Sequence, residues 1–475
     1  MSSTESGKLI KNTAVYGAGD IIVMAVSSFL LIPLYTRALS QEEYGIYIIS
    51  KTNIDIFTYI VQFGLISAVS RLYFDYKKRN EQYEYISTVL ILFFAIAAVF
   101  STTMFLYGDH LWSMISPQIS PEPYLWFCVA IAIVSFFPSL SSIWFRVEEK
   151  AFPFITIQIA TALLLVAFVS INMLYLKTGV VGLLRAILLN SVCASSVIVV
   201  LLWGKFRLKP KISQVKASLN YALPIFAGYV AYFVLNRVGT VILQRYVPID
   251  KIAVYGLMQQ LSMVVTIAGN SFGMAFQPAI YSCGPDRVEQ QIAKTGGMYL
   301  LVMLFISSAL VLFGSDIIWL AAPPKYAEGY VIFVILVMAN LAYSINMINN
   351  TILLYFKYPT LSVAITTIGG MVATALSMAL VPTYNIYGAS LASLTAFICV
   401  LVMGFLLTRK FGSFFKMKFI MRLAVIMLAV VLVGMFMRTN VPHLISLLVK
   451  TGLITALGYV LYSQYKKGDA SPGIA

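Results

Sequence analysis

Fourteen stretches of about 20 residues, each almost free of charge, account for most of this 475-residue chain. They lie near 13–36, 43–64, 86–107, 124–146, 154–176, 179–203, 218–241, 253–277, 293–314, 328–349, 359–381, 386–408, 418–437 and 443–463. About 20 residues of α-helix cross a hydrocarbon core about 30 Å thick, so each stretch is long enough to span a bilayer. They are too long and too continuously apolar for the alternating strands of an outer-membrane barrel. A backbone in lipid must satisfy its own hydrogen bonds, which leaves helices. The expected fold is an all-α integral membrane protein with fourteen transmembrane helices. A composition of 60% hydrophobic and 11% charged residues excludes an ordinary soluble protein.

Laid end to end with both termini on one side, the spans distribute the 33 basic residues unevenly. One side holds 23, including Lys77, Lys78, Arg79 and the run Lys205, Arg207, Lys209, Lys211 and Lys216. The other holds 6: Arg37, Lys177, Arg245, Lys251, Lys325 and Arg438. The positive-inside rule then places both termini in the cytoplasm. Much of the net charge of +15 is explained as topology, so no nucleic-acid partner is expected. No cleavable signal peptide is expected either, because the polar segment 1–11 leads into a full-length span.

The chain also repeats itself. Asn12 and Arg37 recur as Asn220 and Arg245, both at an offset of 208. Phe152-Pro153 recurs as Tyr358-Pro359, and Gly182 with Ala186 as Gly388 with Ala392, at an offset of 206. Repeated halves are the mark of a duplicated architecture. The expected organisation is an amino-terminal lobe, 1–204, with helices 1–6, and a basic cytoplasmic linker, 205–216. A second lobe, 217–410, holds helices 7–12, and 411–475 holds helices 13–14 with a cytoplasmic tail. Every loop is short, and none could house a soluble catalytic domain.

Charges inside spans are where function is sought, since each costs roughly 2.5 to 3.5 kcal/mol at mid-membrane on insertion scales. In the second span Tyr47, Lys51, Asp55, Tyr59 and Gln62 follow at intervals of three or four, drawing one polar stripe. The first span offers Asp20, the sixth Arg185, the seventh Asn236-Arg237 and the last Lys450. Four bases against two acids favour an anionic solute. Arg237 is the strongest candidate, because its span carries Pro224 and Gly228, which permit bending, and Tyr229, Phe233 and Thr240 at helical spacing. Each charge has a structural alternative: Lys51 can pair with Asp55 four residues on, Asp20 can pair with any inward base, and Arg185 and Lys450 can snorkel to the interface.

Other chemistries find little support. Cys128, Cys193, Cys283 and Cys399 lack paired spacing, and only His110 and His443 offer imidazole, so neither a disulfide framework nor a metal site is expected. Gly17-Ala18-Gly19 lies within a span and so is no dinucleotide loop. Ser213-Gln214-Val215-Lys216 has the spacing of a serine hydrolase motif but none of its companions. With no phosphate loop of the Walker type, no nucleotide or other cofactor is expected.

Arg37-Ala38-Leu39, Tyr44-Gly45 and Phe63-Gly64-Leu65 through Arg71 resemble the amino-terminal signature of the polysaccharide flippases in the MOP exporter superfamily, the O-antigen or Wzx type. Leu223-Pro224, Asn236-Arg237, Tyr255-Gly256, Gln259 and Pro278 extend the resemblance, as do the helix starts at Gly182 and Gly388. The acidic residue that the family usually places before the seventh-helix arginine is replaced here by Asn236.

The resemblance implies two six-helix bundles around a partly cationic cavity that opens alternately to the two sides. It implies an inner-membrane transporter, not an enzyme, that moves undecaprenyl-pyrophosphate-linked oligosaccharides for O-antigen, capsule or exopolysaccharide. Lys51, Arg185, Arg237 and Asn236 are the expected substrate contacts, with Asp20 and Asp55 in ion pairs or in coupling. A coupling ion, H⁺ or Na⁺, and other polysaccharide-assembly membrane proteins are the further partners. The two last helices are similar to those of the lipid II flippases, which implies a groove for a lipid tail. Two rival readings are a multidrug or cation exporter of the MATE branch, whose cavity should be net acidic, and a membrane glycan polymerase or transferase, which should carry a larger extracytoplasmic loop.

Overall fold

The computed structural model describes residues 26–203, 210–281, 283–412, 417–440 and 443–466. Among these no strand occurs, and ten helices are long and apolar enough to cross a membrane. Two shorter apolar helices, Met421–Met437 and Ser446–Leu461, match the last two expected spans. The 53-residue segment Pro359–Phe411 holds two expected spans in one. Each expected span from the second onward thus coincides with a helix, and the first lies mostly outside the described residues.

Close Cα neighbours divide the chain into two compact units, Met1–Phe233 with Thr240–Ala253, and Val234–Gly239 with Val254–Ala475. The first unit contains α1 (Ile32–Ala38), α2 (Gln41–Gln62), α3 (Leu65–Lys77), α4 (Gln82–Ile115), α5 (Tyr124–Val134), α6 (Phe136–Val147), α7 (Ala151–Ser170) and α8 (Gly179–Leu202). Most of α9 (Ile212–Tyr246) belongs to it as well. The polar link before α2 is a capping box: Ser40 Oγ accepts from the Glu43 amide at 3.1 Å, and Glu43 Oε2 accepts from the Ser40 amide at 2.9 Å. Two amide donors that the helix cannot satisfy internally are met in this way.

The Phe63-Gly64 step separates α2 from α3, with both residues left-handed at φ 46° and 72°. A Cβ on Gly64 would stand 2.6 Å from the Ala222 carbonyl oxygen of α9, so the site demands glycine for conformation and for close approach. Gly45 likewise lets α2 lie against the Ile249 carbonyl. Membrane helices approach closely where such small residues meet, because packing and polar contacts replace the hydrophobic drive available in water. Buried polar groups find partners across these helices: Asn53 donates to Ser116 Oγ at 2.8 Å, and Thr88 Oγ1 donates to Gln214 Oε1 at 2.8 Å. In the same unit the Phe93 and Phe136 rings stack, with centroids 3.8 Å apart.

The second unit takes the middle of α9 and most of α10 (Ile249–Tyr281), then α11 (Pro285–Leu312), α12 (Gly314–Ala321), α13 (Tyr330–Tyr355), α14 (Pro359–Thr408), α15 (Met417–Asn440) and α16 (His443–Lys466). Its core joins Leu235, Ala339, Ala342, Leu353, Phe397 and Val400. The 50-residue α14 is broken at Asn385, φ 51° and ψ −131°, three residues after Pro382, which falls between two expected spans. Lys450 of α16 is buried and donates to Asp316 Oδ2 of α12 at 2.6 Å and to Ser315 Oγ at 3.2 Å. Lys450 is therefore committed to an ion pair and neither snorkels nor belongs in the count of interior bases available to a solute.

Candidate functional site

In the first unit the stripe on α2 is real but graded. Tyr47 is buried, with its ring 5.5 Å from Tyr35 and 5.9 Å from Tyr44. One turn on, Lys51 and Asp55 are both half-buried, and each is engaged by neighbouring groups. Further along, Tyr59 stacks on Tyr229 of α9 at 5.5 Å and meets Phe233 edge-on at 6.3 Å. The Tyr229 hydroxyl shares a 2.7 Å hydrogen bond with Ser67 Oγ, and Gln62 donates to Ser139 Oγ at 3.3 Å. Four residues per step carry the stripe down one face because the helix repeats every 3.6. The result is an ammonium and a carboxylate followed by aromatic rings.

In the second unit the centre is Arg237. Its Nη1 donates to Gln259 Oε1 of α10 at 3.0 Å, while Gln259 Nε2 donates to the Asn236 carbonyl oxygen at 3.1 Å. Gln259 thus clamps α9 at two consecutive residues and fixes the direction of the guanidinium. The amide contributes no formal charge, and Arg237 has further contacts besides it. Tyr255, one turn before Gln259, is fully buried and hydrogen bonded to Ser393.

A ladder of amides and hydroxyls continues from this clamp. Ser262 Oγ donates to the Gln259 carbonyl at 2.8 Å, Asn340 Nδ2 of α13 donates to Ser262 Oγ at 2.9 Å, and Thr266 Oγ1 donates to Asn340 Oδ1 at 3.1 Å. Linked bonds of this kind hold their members in one arrangement, because a broken link would strand a polar group in a low dielectric. A search of spans for formal charge passes over Ser262, Thr266 and Asn340. The signal that finds them is spacing: Tyr255, Gln259, Ser262 and Thr266 recur at three or four residues on one face of α10.

The remaining expected residues stand elsewhere. Arg185 is exposed on α8 and shares its stripe with the exposed apolar residues Leu189, Val192 and Val199. Asp20 lies outside the described residues. Lys51 and Asp55 come together in the first unit, and Asn236 and Arg237 in the second. Among the described residues no group of three or more His, Cys, Asp or Glu could hold a metal ion.

The chain is similar to "Lsg locus putative protein 1" of Haemophilus influenzae, at 20% identity over 372 residues, covering 75% of this chain and 87% of that protein. Its fold is that of the lipid II flippase MurJ in an inward closed conformation, with a TM-score of 0.71 at 15% identity, covering 98% of this chain and 99% of that one. It is also that of an inward-facing multidrug resistance MATE family transporter of the MOP superfamily, with a TM-score of 0.67 at 15% identity, covering 85% of this chain and 95% of that one. The family described as "Polysaccharide biosynthesis protein" matches residues 9–283, more than half of the chain, and it is to this family that the chain belongs.

Proposed function

We propose that the chain translocates undecaprenyl-pyrophosphate-linked oligosaccharide repeat units across the cytoplasmic membrane by alternating access, for the assembly of O-antigen, capsule or exopolysaccharide. Both termini lie in the cytoplasm in this reading. The observation that carries it is a guanidinium within a membrane span, Arg237, aimed by a neutral amide. A pyrophosphate leaving water loses strong hydration, and charge-assisted hydrogen bonds from arginine and lysine offset that loss. Arg237, with the adjacent Asn236, and Lys51 contact the head group. Asp55 and Asp20 hold the bases in place or couple transport to H⁺ or Na⁺. The rings of Tyr59 and Tyr229 offer apolar faces to sugars. The polyprenyl tail stays in lipid, so the protein shields only the polar head while access alternates between the two sides.

Likeness in fold to a MATE transporter favours a second reading, export of organic cations. Such a solute calls for interior acids, whereas Lys51 and Arg237 are bases, so the flippase reading is preferred. Deletion of the gene in its native host discriminates among the readings. A flippase leaves lipid-linked repeat units on the inner face, a polymerase leaves them unpolymerised on the outer face, and a drug exporter leaves surface glycan intact. In the complemented strain, Arg237→Gln with Lys51→Gln should abolish surface glycan at unchanged levels of inserted protein. Full display by that double variant would refute the assignment.

A further inference from the structure

The loop before α5, the face of α5 and the first turns of α8 form a groove that the proposed transport does not use. It is a shallow, open groove of about 490 Å³ lined by Glu122, Pro123, Trp126, Phe127, Ala130 and Leu188. That volume is in the range of small-molecule sites. Its wall continues onto α4, where the exposed Phe105 ring lies 6.5 Å from Trp126. An apolar trough on membrane-spanning helices takes an acyl chain, and an exposed tryptophan marks the level of the head groups.

Two charges decide which lipid. Glu122 is exposed where the chain enters the groove. Arg185 is exposed one turn before Leu188 on α8, and residues three apart on a helix are neighbours on its surface. Glu122 and Arg185 form no salt bridge with each other among the described residues. Glu122 thus stands at the rim of the groove, and Arg185 stands one helical turn from its Leu188 wall. An anionic head group would satisfy Arg185 but meet repulsion from Glu122. A head group carrying a phosphate and a primary ammonium satisfies both, and the ammonium's N–H donors form charge-assisted hydrogen bonds to the carboxylate that a quaternary ammonium cannot form.

We infer that this groove is a phosphatidylethanolamine site, with the phosphate on Arg185, the ammonium on Glu122 and one acyl chain along Trp126, Phe127, Ala130 and Leu188. With both termini cytoplasmic, the site opens to the outer leaflet. Arg185, which the sequence suggests as a contact for the transported lipid, then anchors a resident one.

The test is lipid retention by the full chain, a readout independent of transport. Purified protein in micelles is supplied with phosphatidylethanolamine, phosphatidylglycerol or phosphatidylcholine of matched chains, and bound lipid is counted by native mass spectrometry. The protein should retain phosphatidylethanolamine about fivefold over either of the others, the scale of one exposed ion pair of up to about 1 kcal/mol. Glu122→Gln should remove the preference over phosphatidylglycerol, Glu122→Asp should keep it, and Arg185→Gln should lower retention of every phospholipid. Both positions are exposed, so these variants leave packing intact. Equal retention of the three lipids by the unaltered protein, or a preference that survives Glu122→Gln, would overturn the site.

Discussion

The ion pair between Lys450 and Asp316 allows a sharp test of how the last helix is held. Lys450 has a side chain only 3% exposed, Asp316 is 19% exposed, and they meet at 2.6 Å. Each ion has lost most of its hydration, and their mutual attraction, with the hydrogen bond to Ser315, offsets that loss. Removing one partner of a buried pair typically costs about 3–5 kcal/mol. Lys450→Met keeps the apolar stem and discards the charge. Because Asp316 retains some access to solvent, it can be rehydrated, so the loss should fall near the lower end, about 3 kcal/mol. Lys450→Met with Asp316→Leu removes both charges and should recover most of the loss, since a buried pair replaced by apolar groups of similar size is often neutral. The assay is reversible denaturant unfolding of the purified protein in mixed micelles, read beside limited proteolysis between α15 and α16. A single variant within about 0.5 kcal/mol of the unaltered protein, the usual bound for a surface change, would refute the reasoning. So would a double variant no more stable than the single one.

Other outcomes follow from the same geometry. Gln259→Leu removes the amide that aims Arg237 and should reduce transport of lipid-linked repeat units at least tenfold, while Gln259→Glu, which supplies a competing anion, should reduce it further; equal activity of the two in a vesicle assay would refute that order. Gly64→Ala places a side chain at a left-handed position against the Ala222 carbonyl and should lower stability by more than the roughly 1–2 kcal/mol of the conformation alone, read as loss of inserted protein. Just beyond the end of α6, burial pushes the Glu148 carboxyl up, but the Lys77 ammonium at 2.7 Å and the Tyr73 hydroxyl at 2.6 Å outweigh it and hold it below the ordinary carboxylate range. A depressed carboxyl stabilises the fold above its unfolded value, near 4.3, and that stability is lost as pH falls through the lower folded value. Glu148→Gln should therefore flatten the acid limb of the stability profile measured between about pH 5 and 2, and an unchanged acid limb would exclude Glu148 as its source.

What the sequence makes legible here is set by the solvent. Lipid forces the backbone into helices and forces their length, so spans from 43–64 onward can be read from apolar runs alone. The family resemblance singles out Tyr44-Gly45, Phe63-Gly64 and Gln259 before any coordinates, but not their reasons: Gly45 and Gly64 serve close approach to Ile249 and Ala222, and Gln259 serves to clamp α9. Formal charge is the other legible signal, and it is ambiguous by nature. The same mid-span cost applies whether a base awaits a solute, as proposed for Arg237, pairs with a distant acid, as Lys450 does, or stands exposed on an apolar stripe, as Arg185 does. Only the neighbours distinguish these cases, and those neighbours are mostly uncharged. Asp316 lies 134 residues from Lys450, and Gln259 lies 22 from Arg237, so no local window brings either pair together. Neutral amides and hydroxyls such as Asn340, Ser262 and Thr266 also carry less weight in a hydropathy reading than a single lysine. In a bilayer their hydrogen bonds still bind one helix to the next, so polar spacing, read separately from charge, is the feature through which a sequence of this class reveals which face of a span turns inward.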